Sequence, residues 1–281
     1  MRVTENRMME MASDAVSQAR DRAAASASQV SSGLRVAVPS DDPVAWSEGM
    51  RAVERKTLST FRAGAISASR QRLSDAEMAF GTIGDVLSQV MELGTEMGND
   101  THTLADRAAG AIQVRGLRDS LLAAANMRDA DGQYVLAGTL GDSPAFDNTG
   151  AFVGDAVDRD IQVNEASNQT VSVNGSLLTA AAGVDIYAVV NALATAMDNN
   201  DAPTIRAQIA VVYRAVQQVA QARATTGVRM KALDEWLQAN ETFLAAVDYD
   251  PDAVGAKRRV PHVLLDIVVQ ALWQRATTDG Q

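Results

Sequence analysis

A heptad repeat in the first half of the chain most restricts what this sequence can fold into. Between residues 44 and 98, apolar side chains recur at seven-residue steps in two rows. The first row is Ile66, Leu73, Phe80 and Leu87, and the second is Ala76, Ile83, Val90 and Met97. Both rows lie on one side of an α-helix, and a neighbouring helix has to cover them. The sequence therefore predicts a long helix within a helical hairpin or bundle.

Other stretches also have helical periodicity. They cover residues 5–30, 104–129, 185–198 and a long run from 201 or 203 to about 247. A helix of about 45 residues is roughly 65 Å long, which suits an elongated bundle or coiled coil. The first helix has mostly Ala in its apolar row. We expect it to be mobile in the monomer and ordered by partners, because it buries little apolar area.

The periodicity changes in the middle of the chain. Short alternating stretches at 132–138, 151–153, 159–163 and 170–173 are separated by Gly, Asp, Asn or Pro. They predict four short strands in a small insertion, which we call the β module. The predicted fold class is therefore mainly α, an elongated bundle of long N- and C-terminal helices with a small β-rich insertion.

Residues 31–46 combine the signals that end one helix and start the next. Gly33 can take a left-handed backbone conformation and end the first helix, and Pro39 prevents an early restart. Asp41 or Asp42 can cap the second helix, and Pro43 suits its first turn.

Composition excludes several classes of function. The net charge of −10 argues against a nucleic-acid partner, which requires a basic face. The absence of Cys excludes disulfides and thiolate chemistry. The N-terminus lacks an apolar core of signal-peptide length, and no apolar run is long enough for a membrane span.

Candidate catalytic or metal-binding groups are few. His102 lies in a polar turn, and His262 follows a proline; neither has the three or four ligands of a metal site nearby in sequence. Adjacent Asp41 and Asp42 are better explained as caps than as an acid–base pair. Residues 147–155 resemble a calcium loop only loosely. We expect no catalytic residue, metal or cofactor, and therefore no enzyme.

Three motifs resemble the bacterial flagellin family. The first is the segment SSGLRVAVPSDDP, with Ser31, Ser32, Gly33, Arg35, Pro39, Ser40, Asp41, Asp42 and Pro43. The second is the helix turn NDTHTLADR, with Asn99, Thr101 and Arg107. The third is RATTGVRMKALDE in the last long helix, with Arg223 and Gly227. Lys231 departs from the Asn or Arg that the family has in the third motif.

The middle of the chain is similar to one branch of that family, the hook-associated junction proteins of the FlgL type. The matching tract runs from GQYVLAGT through PAF and VDRDIQV to VSVNG. Its matching positions are Tyr134, Ala137, Gly138, Pro144, Phe146, Arg159 and Gly175. Flagellins generally lack this tract.

The resemblance implies a structural role at the junction between the hook and the flagellar filament. Proteins of this type form a ring of identical subunits on another hook-associated protein and present a surface on which flagellin polymerises. They leave the cell unfolded through the flagellar type III exporter, without a cleaved signal peptide, after binding a cytoplasmic chaperone. No nucleic-acid or membrane partner is implied, and the location is the extracellular flagellum.

The resemblance also divides the chain into segments. Residues 1–40 form half of a mobile inner terminal domain, and 41–131 and 177–247 form the rod. Residues 132–176 form the outward β module, and 248–281 are the other half of the terminal domain. This last segment departs from the family, whose closing helix pattern is not visible.

Two alternative functions stay open. The nearest is a flagellin, against which the tract of residues 132–175 argues. The other is an intracellular helical adaptor or coiled-coil protein that shares only the segment at residues 31–46.

Overall fold

The computed structural model describes residues 2–32, 36, 38–164 and 166–246. These residues contain the α-helices α1 (Arg2–Ser32), α2 (Pro43–Met97), α3 (Leu104–Ala125), α4 (Ile186–Asp198) and α5 (Ala202–Ala246). Two strands, β1 (Asp160–Gln162) and β2 (Asn168–Thr170), lie between α3 and α4, followed by two short 3₁₀ helices. The predicted mainly α fold with a small β insertion is confirmed.

The two heptad rows of α2 form the centre of the core. Every side chain in both rows is buried, and those of the first row have no exposed surface. The facing helices approach closely at the glycines of α2. A Cβ added at Gly84 would lie 3.7 Å from Val219, and one added at Gly94 would lie 3.6 Å from Ile209. Helix α5 thus lies against α2 at both glycines, and Leu193 of α4 comes within 3.3 Å of the added Cβ at Gly94.

Helix α3 packs against α4 and begins with a complete capping box. The Thr103 side chain accepts a hydrogen bond from the Asp106 amide, and the Asp106 carboxylate accepts one from the Thr103 amide at 2.8 Å. The helix ends at Ala125, four residues before the predicted end. The reason is Asn126, whose side-chain amide pairs with both main-chain groups of Phe146 at 2.9 Å and anchors the chain there.

The β module contains fewer strands than expected. Strands β1 and β2 pair antiparallel, whereas 132–138 and 151–153 contribute only isolated bridges, Arg128 to Tyr134 and Phe146 to Phe152. The prediction of four strands was wrong. Beyond β2, the side chain of Ser172 accepts a hydrogen bond from the Arg159 amide at 2.7 Å, and the Ser172 carbonyl accepts one from Arg229. Backbone pairing continues to Val171, whose amide donates to the Arg159 carbonyl at 2.8 Å, and side chains take over at Ser172.

The described residues fall into two compact units. One comprises 62–239 and holds the contiguous hydrophobic core. The other comprises the described parts of 1–61 with 240–246. In the second unit, buried Ser59 pairs with Asn240, whose side chain donates to the Ser59 carbonyl at 2.8 Å. None of the described helices is long and apolar enough to span a membrane.

Candidate functional site

The segment between α1 and α2 is a turn followed by a well-formed helix start. Asp42 accepts a hydrogen bond from the Ala45 amide at 3.0 Å, and Pro43 is the first residue of α2. The Asp41 carboxylate instead accepts from the Val38 amide at 3.1 Å and closes the turn that contains Pro39. Asp42 is thus the cap, and Asp41 stabilises the turn before it.

The other motif positions of this segment divide between the end of α1 and the turn. Ser31 and Ser32 form the last residues of α1, and Ser40 lies in the turn. Gly33 and Arg35 lie outside the described residues.

Arg107 is the centre of the second motif. Its guanidinium is buried and makes three hydrogen bonds at the end of α2. The Nε donates to the Met97 carbonyl at 3.0 Å, and Nη2 donates to the Asn99 carbonyl at 2.8 Å. The Nη1 donates to the side chain of Asn200, in the connection between α4 and α5. Arg107 therefore joins the end of α2 and the turn after it to the connection between α4 and α5, and its charge complements the carbonyl end of α2.

A second arginine reinforces the same turn from α5. Arg206 donates to the Gly98 carbonyl at 2.8 Å and to the Asp100 carboxylate at 2.9 Å. This hydrogen bond from Arg206 lowers the pKa of Asp100. Thr101 is held by a hydrogen bond of 3.4 Å between its amide and the Asn99 side chain. Hydrogen bonds made by the side chains of Arg107, Arg206 and Asn99 thus hold the turn in place.

Gly138 allows the closest backbone approach in the β module. It has φ +74°, and a Cβ there would lie 1.9 Å from Oδ1 of Asp155. That carboxylate accepts hydrogen bonds from the amide of Thr139, at 2.6 Å, and from its hydroxyl. The hydroxyl and amide of Thr139 lower the pKa of Asp155. Arg159 completes the cluster by donating to the Thr139 carbonyl at 3.2 Å.

Aromatic rings fill the interior of the module. The Phe146 ring lies 5.4 Å from that of Phe152 and 5.2 Å from that of Tyr187, in tilted arrangements. A Cβ at Gly175 would lie 2.7 Å from Phe146, so a larger residue cannot fit there. Burial raises the pKa of Tyr187, whose hydroxyl donates to the Leu121 carbonyl at 3.3 Å.

The remaining motif positions of the module, Tyr134, Ala137 and Pro144, do not belong to this aromatic group. The ring of Tyr134 lies under the guanidinium of Arg128, 4.4 Å from its centre, and its hydroxyl accepts from the same group at 2.7 Å. Ala137 is buried, and Pro144 is exposed.

The motif in α5 makes two ion pairs with α2, one of them between Asp234 and Arg70. Arg223 donates to Glu77 of α2 at 2.9 Å. Gly227 has nothing within 4 Å of an added Cβ, and the structure gives no packing reason for a glycine there. Thr226, between them, is fully buried and donates to the Ala222 carbonyl at 2.9 Å within the same helix.

Two residues that join the β module and its following loop to α5 carry no sequence signal. Gln218 donates to the carbonyls of Leu177 and Val184 and accepts from the Val184 amide, all at 2.8–3.0 Å. Arg229 pairs with Asp158 at 3.2 Å and reaches the Ser172 carbonyl. Neither residue was singled out from sequence, because polar residues on a long helix have no distinguishing pattern.

The described part of the chain contains no cluster of three His, Cys, Asp or Glu residues that could hold a metal ion. The Nδ1 of His102 lies 4.0 Å from the carboxylate of Asp106. His262 lies outside the described residues.

Comparison with known proteins finds similar chains by sequence and similar structures by fold. A model of the N-terminal helical region of bacterial flagellins matches residues 3–140. Flagellar hook-associated protein 3 of Salmonella typhimurium is 30% identical over 149 residues, which are 53% of this chain and 47% of that protein. The Escherichia coli protein of the same name is 30% identical over 148 residues, with shares of 52% and 47%. The chain thus spans about half the length of the curated relatives it matches.

Solved structures share the fold at lower identity. FlgL of Xanthomonas campestris has a TM-score of 0.59 at 16% identity and covers 68% of this chain and 99% of its own. Flagellar hook-associated protein 3 of Legionella pneumophila has a TM-score of 0.62 at 13% identity, with shares of 70% and 96%. Residues 3–140 are thus similar to the N-terminal helical region of bacterial flagellins. Both curated relatives are named flagellar hook-associated protein 3, and the chain is similar to them over about half of its length.

Proposed function

We propose that this chain is a non-enzymatic building block of the bacterial flagellum at the junction between hook and filament. In this role it forms a ring of identical subunits and presents the surface on which flagellin polymerises. Its neighbours are another hook-associated protein and flagellin. It reaches the junction by flagellar export without a cleaved signal peptide, after contact with a cytoplasmic chaperone.

One observation carries the proposal: α1 buries none of its described side chains. Every side chain from Arg7 to Ser32 is exposed, including Met8, Met9 and Met11 at 70–78%. A long helix without tertiary contacts is of marginal stability in water, since most helical stability in proteins comes from packing an apolar face. A helix of this kind is expected to gain its contacts from other subunits.

The segment boundaries belong to the same proposal. We assign residues 1–40 and 248–281 to the terminal domain, 41–131 and 177–247 to the rod, and 132–176 to the outward module. In this assignment the terminal helices become ordered by lateral and axial neighbours during assembly. The anchored turn around Arg107 and the module keep the rod rigid while this happens.

Immunogold labelling of intact flagella tests the proposal. The chain carries an epitope tag in the exposed turn that contains Asp142, and is expressed in cells lacking the untagged protein. A single cluster of gold at the distal end of the hook is the expected result. Label along the whole filament would make the chain a flagellin, and label confined to the cell body would make it an intracellular adaptor. Either result would overturn the proposal.

A further inference from the structure

An open groove on the core unit has an apolar floor and an acidic edge. Its volume is about 570 Å³. Met91 of α2 and Ile209 of α5 line it and are partly buried, and exposed Ser88 lies at one end. Glu92 and Glu96, one turn apart on α2, form the edge. Both carboxylates are exposed, and neither pairs with a basic group among the described residues.

An exposed face near the start of α2 has the complementary chemistry. Met50, Leu58 and Phe61 are 54%, 43% and 72% exposed. At about 100° per residue, these three side chains lie within roughly 80° of one another around the helix. Arg51 and Arg55 border them on one side, and both side chains are exposed without an acidic partner among the described residues. We call these five residues the basic apolar face.

We infer that the groove of one copy of this chain receives the basic apolar face of a second copy. The two surfaces match in kind, because each combines an apolar strip with one charged edge, and the edges have opposite sign. Apolar side chains of the face bury area on Met91 and Ile209, while the arginines pair with Glu92 and Glu96. A contact between two different surfaces is heterologous, and copies joined in this way extend into a ring or a helical row.

The inference rests on the proposed function, because a subunit that works as a monomer would need no such contact. It names the surfaces that join the copies and gives the contact a polarity. Charge pairing at the edge sets the orientation, since reversing the face would bring the arginines away from the glutamates.

Disulfide trapping tests the contact without background, because the chain contains no cysteine. We would mix two full-length variants, Leu58→Cys and Ser88→Cys, and add a mild oxidant. A mixed dimer is expected, at least about tenfold above the yield from Ser88→Cys mixed with Val228→Cys. Val228 is 70% exposed on α5 and lies outside both surfaces, so it reports random collision. Equal yields from the two mixtures would overturn the inference.

Charge reversal in the same mixture tests the role of the edges. Glu92→Arg with Glu96→Arg in the Ser88→Cys chain is expected to reduce the dimer yield about tenfold, because like charges then meet. Adding Arg51→Glu with Arg55→Glu to the other chain restores opposite signs and should restore the yield. Both sets of residues are exposed, so the folded chain should tolerate them. A yield that does not respond to either change would contradict the charge pairing.

Co-expression of the two cysteine variants in cells separates this inference from the proposed function. Filaments on such cells show that the junction assembles, and oxidised hook preparations then show whether the mixed dimer is present. Filaments with the dimer support both statements. Filaments without the dimer overturn the contact alone. Filaments that form equally in cells lacking the chain altogether overturn the proposed function, whatever the dimer yield of the purified variants.

Discussion

Removing the guanidinium of Arg107 should destabilise the protein more than any exposed ion pair does. In the Arg107→Ala variant, the carbonyls of Met97 and Asn99 and the side chain of Asn200 lose their donor. A hydrogen bond to a charged group contributes about 1.5–3 kcal/mol, and buried groups left unpaired add a desolvation cost. Because the three bonds are not additive, we expect the free energy of unfolding to fall by about 3–5 kcal/mol.

Arg115→Ala on the same helix is the matched control. Arg115 makes one ion pair, with Asp198, and both side chains are 40% or more exposed. Such pairs contribute about 0–1 kcal/mol. Urea unfolding followed by far-ultraviolet circular dichroism measures both variants against the native sequence. If Arg107→Ala costs no more than Arg115→Ala, the anchored turn does not stabilise the fold in the way we describe.

Three further predictions concern the module and α1. Gly138→Ala should destabilise the module by more than about 2 kcal/mol and make it sensitive to protease, because the added Cβ would overlap Asp155. Gly116→Ala, where the added Cβ meets no atom within 4 Å, should instead stabilise the chain by about 0.5–1 kcal/mol. The pKa of Asp155 is lower in the folded protein than its unfolded value near 3.8, so its ionisation stabilises the fold fully above that value. This stability is lost as pH falls through the folded pKa, and Thr139→Val should reduce the loss in unfolding experiments from pH 6 to 2. An unchanged pH profile of stability in the variant would refute the prediction. Deleting residues 2–32 should leave the unfolding of the core unchanged but abolish filament formation in cells; a motile strain would contradict the role of α1.

Sequence periodicity predicted the helices because their apolar rows repeat over many turns. The rows from Ile66 to Met97 were identified from spacing alone, and all of them are buried. The starts of α2 and α3 could also be predicted from sequence, since an Asp-Pro pair and a capping box are short-range signals. Helices α2 and α3 begin at the residues that these local signals indicate.

The details of the module could not be predicted, because they depend on single long-range contacts. The stretch at 170–173 alternates like a strand, but beyond Val171 the side chains of Ser172 and Arg229 make the hydrogen bonds instead of the backbone. Gln218 anchors the loop before α4 from a helix face that shows no pattern in sequence. The basic apolar face and the groove also could not be predicted from sequence, because the exposure of a side chain depends on how the helices pack.

Electron microscopy of cells that lack this chain, with an assay for flagellin in the medium, tests the central claim most directly. Our account predicts bare hooks and flagellin lost to the medium, with filaments restored when the chain is supplied again. Intact filaments on cells lacking it would contradict the junction role. Bare hooks with no flagellin in the cells or the medium would show instead that the chain is the flagellin.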